Sequence, residues 1–177
     1  MNVKTISKTS MRRTALRQLT WLLLILLLLL SLIGIQSAHA AGFVVNTTTD
    51  SNDGSCGTPC SLRDAIIAAN ASTGADTITF DSSLSGATIV LGSTLPNITD
   101  DLTIDGSSLI LPVTIDGAGT YRVFYVDSIT VTLDSLIISH GASSNGGGLY
   151  NNGGAVNITD STFSDNSTAC TGSSCNS

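Results

Sequence analysis

The chain contains no glutamate and very few basic side chains beyond its first 17 residues. All 13 acidic residues among its 177 are aspartates. Aspartate suits turns because its short side chain bonds to nearby backbone, whereas glutamate favours helices, so the bias indicates a turn-rich chain. Residues 41–177 retain two arginines, no lysine and all 13 aspartates, a formal charge of −11. A surface this acidic excludes charge-driven binding to nucleic acid or anionic lipid.

The basic residues that the rest of the chain lacks are concentrated at its start. They precede an apolar stretch over residues 21–35 and an Ala38-His39-Ala40 sequence, which is typical of a signal peptide cleaved after Ala40. The stretch is shorter than the roughly 20 residues that cross a bilayer, although an uncleaved anchor is the alternative. Arg12-Arg13 leaves a twin-arginine export route as a second alternative. The basic residues are Lys4, Lys8, Arg12, Arg13 and Arg17.

Four cysteines occur in two local couples, Cys56 with Cys60 and Cys170 with Cys175. Disulfides persist in exported proteins, and four cysteines allow three connectivities. We predict pairing within each couple. A zinc site is the alternative, but the couples lie about 110 residues apart and have neither usual ligand spacing.

One short helix is predicted over residues 61–70. Ser61 can act as N-cap, and Asp64 three residues later completes a capping-box pattern. Asn70 and Gly74 mark the end of the helix. About ten residues are too few for a stable free helix, so it must dock on an apolar surface. Arg63 is expected to pair with an aspartate or a loop carbonyl there. The residues that share its apolar face are Leu62, Ala65, Ile66 and Ala69.

From Asp76 onward, runs of three or four β-branched or aromatic residues alternate with turn residues. The segment that begins at Val131 matches the one that begins at Val156, at an offset of 25, and Leu102-Thr-Ile-Asp-Gly106 is echoed 11 residues later, about half that period. Such a repeat of short strands predicts the coils of a parallel β-helix. An antiparallel sandwich is the alternative, but it calls for longer strands joined by two-residue turns.

Residues 43–70, above all Cys60–Ile66, resemble the N-terminal module named for its Cys-Ser-Leu-Arg-Glu-Ala motif. The continuation over 76–80 and 95–106 is also similar to that family. Asp64 stands where glutamate is usual, and it still suits a capping box. The resemblance implies an exported bacterial right-handed parallel β-helix (pectin-lyase-like solenoid), all-β apart from a short N-terminal capping helix formed by Ser61, Leu62, Arg63, Asp64 and Ile66.

Residues 153–156 and 163–166 resemble polymorphic outer-membrane protein repeats. That similarity implies a surface-exposed, often adhesive β-helix and brings no catalytic residue with it. The predicted organisation is a signal peptide over 1–40, a capping module over 41–75 and the first coils over 76–177. Because no second cap follows, we expect the solenoid to be incomplete at Ser177.

Few residues suggest catalysis. His140 is the one histidine beyond residue 40, and its repeat partner Asp165 indicates a turn. Asp100-Asp101 is the one adjacent acidic pair, but neighbouring strand residues point to opposite faces, so a turn is again favoured over acid–base catalysis. No cofactor is predicted; Ca²⁺ held by aspartates of stacked turns is the alternative.

The sequence therefore predicts a secreted or cell-surface scaffold without a catalytic site, one that binds extracellular carbohydrate or a surface protein. Membrane attachment is expected only through the signal segment or an anchor beyond Ser177. The alternative is the N-terminal part of a polysaccharide-degrading β-helix enzyme.

Overall fold

The computed structural model describes residues 17–25 and 39–168. Residues 17–25 are helical, and none of the described helices has the length and apolarity that a membrane span requires. All the strands belong to the second of two compact units, which begins at residue 38. The predicted cleavage residue Ala38 and the predicted couple Cys170–Cys175 lie outside the described residues.

Within residues 39–168, the α-helix α1 (Leu62–Ala71) precedes most of the strands, and a 3₁₀ turn covers Ser82–Leu84. The strands are short, as the turn-rich composition predicts. They are β1 (Gly42–Val45), β2 (Asp76–Phe80), β3 (Thr88–Val90), β4 (Leu102–Asp105), β5 (Val113–Asp116), β6 (Phe124–Asp127), β7 (Thr130–Asp134), β8 (Leu136–Ser139), β9 (Ala142–Ser143), β10 (Leu149–Asn152), β11 (Ala155–Thr159), β12 (Thr162–Ser164) and β13 (Ser167–Thr168).

The strands stack into a parallel β-helix of about four turns, which confirms the predicted fold class. Sheet A has the order β1-β2-β4-β7-β11, and sheet B has the order β12-β8-β5-β3. Two further pairs, β10 with β6 and β13 with β9, complete the coils. Every described strand pair is parallel, which rules out the antiparallel sandwich for this part of the chain.

The repeat of 25 residues is the register of the last two coils. Val131 pairs with Val156 and Leu133 pairs with Ile158 in sheet A, while Ile138 pairs with Phe163 in sheet B. The similarity between residues 102–106 and the segment 11 residues later has a different cause. The two segments contain β4 and β5, which lie in sheets A and B of one coil, as half a period predicts.

Alternation along each strand builds the core. Ile78, Ile104 and Leu133 stack in register on the inner side of sheet A and are fully buried. In the last described coil, Ile158 continues this column and Phe163 continues the Ile138 column of sheet B, but they are 48% and 39% exposed. Apolar residues therefore reach that end of the described solenoid.

Single residues in left-handed backbone conformation turn the chain between sheets. Ser135 and Asp160 have φ of 57° and 44°, and His140 and Asp165 have φ of 48° and 54°. Each pair is separated by the 25-residue period. Polar side chains such as Asp and His are enriched among non-glycine residues in this conformation. Two corners therefore recur at the 25-residue offset between the last two described coils.

Candidate functional site

The capping helix lies over the first coil and packs against β1 and β2. Ser61 is its N-cap: the hydroxyl oxygen accepts the Asp64 amide at 3.0 Å. The apolar face is the predicted one, with Leu62, Ala65, Ile66 and Ala69 all buried. These side chains cover apolar core, so the helix closes the N-terminal end of the solenoid.

The Asp64 carboxylate departs from a capping box, in which it would accept from the Ser61 amide. Its Oδ2 instead accepts from the Ser61 hydroxyl at 2.7 Å, and its Oδ1 accepts the amides of Asp53 and Gly54, each at 3.1 Å. Burial opposes ionisation, but the hydrogen bonds from Ser61, Gly54, Ser51 and Asp53 outweigh it and lower the pKa of Asp64. Asp64 therefore fastens the loop that precedes the helix.

Arg63 is 5% exposed and forms a bidentate ion pair with Asp50. Its Nε and Nη2 lie 2.8 and 2.7 Å from the two carboxylate oxygens. Nη1 and Nη2 also donate to the carbonyls of Thr94 and Ser93. The guanidinium thus joins the capping helix to two loops, and its donors are directed into the protein rather than at a ligand.

The predicted disulfide Cys56–Cys60 is present. The Asn46 side chain accepts the Cys60 amide at 2.8 Å, and the Asn46 amide donates to the Cys60 carbonyl. Asn46 is one of the asparagines in an N-x-Ser/Thr sequence, and its side chain joins the end of β1 to the residues that precede α1. The Cys60–Ile66 segment is therefore a structural unit.

The residues that might have carried catalysis are in turns. His140 is 53% exposed, and its Nδ1 lies 3.1 Å from Asp116 Oδ2. Asp101 Oδ1 accepts the Thr130 amide at 2.7 Å, and Asp100 Oδ1 accepts the Asp101 amide. Across the part of the chain that the structure describes, no three potential metal ligands converge. An open pocket of ≈ 430 Å³ adjoins Ile158 and Phe163 and has only Asp165 as an ionisable lining group.

A different surface combines aromatic and charged groups: the outward side of β6 and β10. Tyr125 and Tyr150 are paired in register on these strands, with ring centroids 5.3 Å apart and planes inclined at 46°. Phe124 and Val126 point into the core, so strand alternation directs Tyr125 outward. The two rings form a ladder across successive coils.

Arg122 lies beside both rings, its Cζ 5.4 Å from the Tyr125 centroid and 5.1 Å from the Tyr150 centroid. Nε and Nη2 donate to the Asn145 carbonyl at 3.1 and 2.7 Å, and Nη2 also donates to Ser143 Oγ at 2.7 Å. No carboxylate within the described ranges forms a salt bridge with Arg122. This cation is therefore held by neutral groups against two aromatic faces.

The next outward row of the same face is polar. Asn152 Nδ2 donates to Asp127 Oδ1 at 2.9 Å, and these residues are paired in register. Ile98 bridges Val126, which places Thr99 beside Asp127 in the preceding coil. We call the set Arg122, Tyr125, Tyr150, Asp127 and Asn152 the tyrosine face. It offers two apolar rings bordered by hydrogen-bond donors and acceptors.

The 25-residue repeat also relates Tyr125 to Tyr150, so it could have predicted that these two side chains lie in register on successive coils. The alignment that predicts the coils starts at Val131 and stops short of these residues. No protein-family model matches the chain, and neither a curated protein nor a solved structure is significantly similar to it. Among the described residues, the tyrosine face brings two aromatic rings, a cation and polar groups together on one outward surface.

Proposed function

We propose that this protein is an exported β-helix scaffold that binds extracellular carbohydrate through the tyrosine face. The observation that carries the proposal is the Tyr125–Tyr150 ladder beside Arg122. The apolar C–H face of a sugar ring packs on an aromatic ring, while its hydroxyls need donors and acceptors at the edge. Tyrosine supplies an apolar body with a polar tip, which suits such a ligand.

The strands and the arginine of the face are held in place by contacts within the protein. Both tyrosines lie on paired strands, and Arg122 is fixed by the loop over residues 143–146. Ordering side chains on association costs about 0.5–1.5 kcal/mol for each rotamer-rich residue. Because the Arg122 side chain is already held, little of that cost remains for a ligand to offset at this residue.

Hydrogen-bonding capacity remains next to the rings. Asp127 Oδ1 is occupied by Asn152, whereas no partner among the described residues bonds to Asp127 Oδ2 or Asn152 Oδ1. Two free acceptors beside a pair of rings match the hydroxyl donors along one edge of a sugar. A flat stack of successive coils would extend this recognition over more than one sugar unit.

Two features support export and a surface role. The leader pattern over residues 1–40 is typical of a signal peptide, and the Cys56–Cys60 disulfide suits an oxidising compartment. A scaffold that displays a glycan-binding face at a cell surface would act as an adhesin. That role is part of the proposal and depends on the same face.

The experiment is a glycan array probed with the exported protein, followed by calorimetric titration of the best glycan. Tyr125→Ala and Tyr150→Ala are each expected to weaken binding at least about tenfold, since central aromatic residues carry most of the energy of a contact surface. Ile110→Ala is the matched control, because Ile110 is 92% exposed and lies outside the face.

Circular dichroism must show that each variant keeps the wild-type spectrum. An array without any bound glycan would contradict the proposal. Binding that survives the double Tyr125→Ala, Tyr150→Ala replacement would contradict the assignment to the tyrosine face.

A further inference from the structure

Asp76, the first residue of β2, is a buried carboxylate in which one of the two oxygens has a hydrogen-bond partner. It is 1% exposed. Its Oδ1 accepts the Ala41 backbone N–H at 2.7 Å. Its Oδ2 is buried and has no hydrogen-bond partner, the one such side-chain atom in the described part of the chain.

A buried carboxylate is costly unless a cation or several donors compensate it. Residues 41–168 contain two cations that are charged at all ordinary pH values, and both are committed elsewhere. Arg63 pairs with Asp50, and Arg122 belongs to the tyrosine face. One neutral amide donor is a poor match for Asp76, so a positive charge is missing at this position.

The group that contacts Asp76 is the amide of the residue that follows Ala38-His39-Ala40. We propose that Ala41 is the N-terminus of the mature protein and that Asp76 is the built receptor for its α-ammonium group. A signal peptidase hydrolyses the Ala40–Ala41 bond: water adds across it, the new carboxylate leaves with residue 40, and the new amine takes up a proton. The single N–H donor thereby becomes an –NH₃⁺ group with three donors, enough for both Asp76 oxygens.

The surrounding strands hold Ala41 in place whether or not the leader is attached. The Ala41 carbonyl accepts the Thr77 amide at 2.9 Å, and Gly42 pairs with Thr77 in the β1–β2 register. His39 and Ala40 are exposed, so their removal takes nothing from the core. Cleavage changes the charge at Ala41 and leaves its backbone partners unchanged.

The consequence is a fold that is completed by processing. The precursor carries an uncompensated carboxylate beneath its first coil, and the mature chain carries an ion pair there. The first coil is therefore more stable after cleavage, on the side of the membrane where the protein is released.

The first experiment uses the fact that residues 41–177 contain no lysine, so the α-amine is the one primary amine of the mature chain. The full chain is exported from a bacterial host, and mass spectrometry of the product is expected to show Ala41 as its first residue. Acetylation by an N-hydroxysuccinimide ester then reports on that amine alone. We expect the reaction to be at least about tenfold slower in the native protein than in urea, a factor equal to about 1.4 kcal/mol.

Asp76→Asn should remove most of this protection, because the amide keeps an acceptor but not the charge. Asp160→Asn is the matched control: Asp160 is exposed, and asparagine tolerates its positive φ of 44°. A mature protein that starts at another residue, or an amine as reactive in the native state as in urea, would overturn the proposal.

A second experiment does not depend on export or on the Asp76 variant folding. Residues 41–177 are joined to a carrier by a protease site that liberates Ala41, and thermal melting is compared before and after cleavage. Cleavage is expected to raise the melting temperature by about 4 °C, which a tenfold change in the folding equilibrium produces in a domain of this size. A second fusion that leaves one extra glycine before Ala41 should show no rise. Equal melting temperatures before and after cleavage in both fusions would refute the ion pair.

Discussion

Replacing Arg63 by methionine should unfold the capping module at far lower denaturant concentration than the wild-type protein. The guanidinium makes hydrogen bonds to both oxygens of Asp50 and to two loop carbonyls. Methionine keeps the apolar stem and removes all of these donors. Asp50 is then left as a buried carboxylate, with a side chain that is 6% exposed.

The magnitude follows from that burial. Breaking one partner of a buried ion pair costs about 3–5 kcal/mol, because the other charge is left without compensation. One donor to Asp50 survives, the Gly92 amide at 2.8 Å from Oδ2. We therefore expect a loss near the lower end, about 3 kcal/mol. An exposed pair would give about 0–1 kcal/mol.

The assay is urea unfolding of the purified protein with the disulfide intact, followed by far-ultraviolet circular dichroism. Fluorescence is unsuitable because the single tryptophan is Trp21, within the predicted leader. Asp50→Asn and the double variant complete a mutant cycle. The double variant should lose clearly less than the sum of the single losses, since contacting residues couple by about 0.5–3 kcal/mol.

Two results would refute this reasoning. A loss below about 1 kcal/mol for Arg63→Met would mean that the pair behaves as a solvated surface pair. Additive single losses would mean that Arg63 and Asp50 stabilise the module independently of each other.

Two further predictions concern the same module. Leu62→Asp places a charge in the buried face of α1 and should leave the protein aggregated, as judged by size-exclusion chromatography. The control Ile110→Asp, at a position that is 92% exposed, should stay monomeric. A monomeric Leu62→Asp protein with unchanged melting would contradict the capping role. Because the folded-state pKa of Asp64 is lowered, its contribution to stability is present above the ordinary value of about 3.9 and is lost as the pH falls through the folded-state pKa. Urea midpoints measured from pH 6 to pH 3 should fall less steeply for Asp64→Asn than for the wild-type protein. The Ser83 hydroxyl and amide also lower the pKa of Asp81. An identical slope in the two proteins would therefore assign the pH dependence to other carboxyl groups.

Periodicity is what made the fold predictable. Inward residues of stacked coils must be apolar at each turn, so Val131 and Val156 lie one period apart, and the register pairs them. The corner residues follow the same period, as with His140 and Asp165. The capping helix was predictable because capping chemistry is local: Ser61 and Asp64 lie within one helical turn.

Contacts between distant segments could not be predicted. The Asp64 carboxylate bonds to the loop around Gly54 instead of to its own helix terminus, and the partner of Arg63 could be narrowed only to an aspartate or a loop carbonyl. Tyr125 and Tyr150 become neighbours only when two coils stack, and Arg122 joins them only because the loop at Asn145 holds it there.

The sequence by itself determined the 25-residue offset of the last two described coils, the alternation of inward and outward residues, the position of the capping helix and the local Cys56–Cys60 disulfide, because each depends on residues that are close in the chain or that repeat at that offset. The tertiary structure alone decided which charges are compensated. It paired Arg63 with Asp50, set Arg122 against two rings and left Asp76 facing the amide of Ala41. The physical reason is that compensation of a buried charge depends on distances of a few ångströms between segments tens of residues apart.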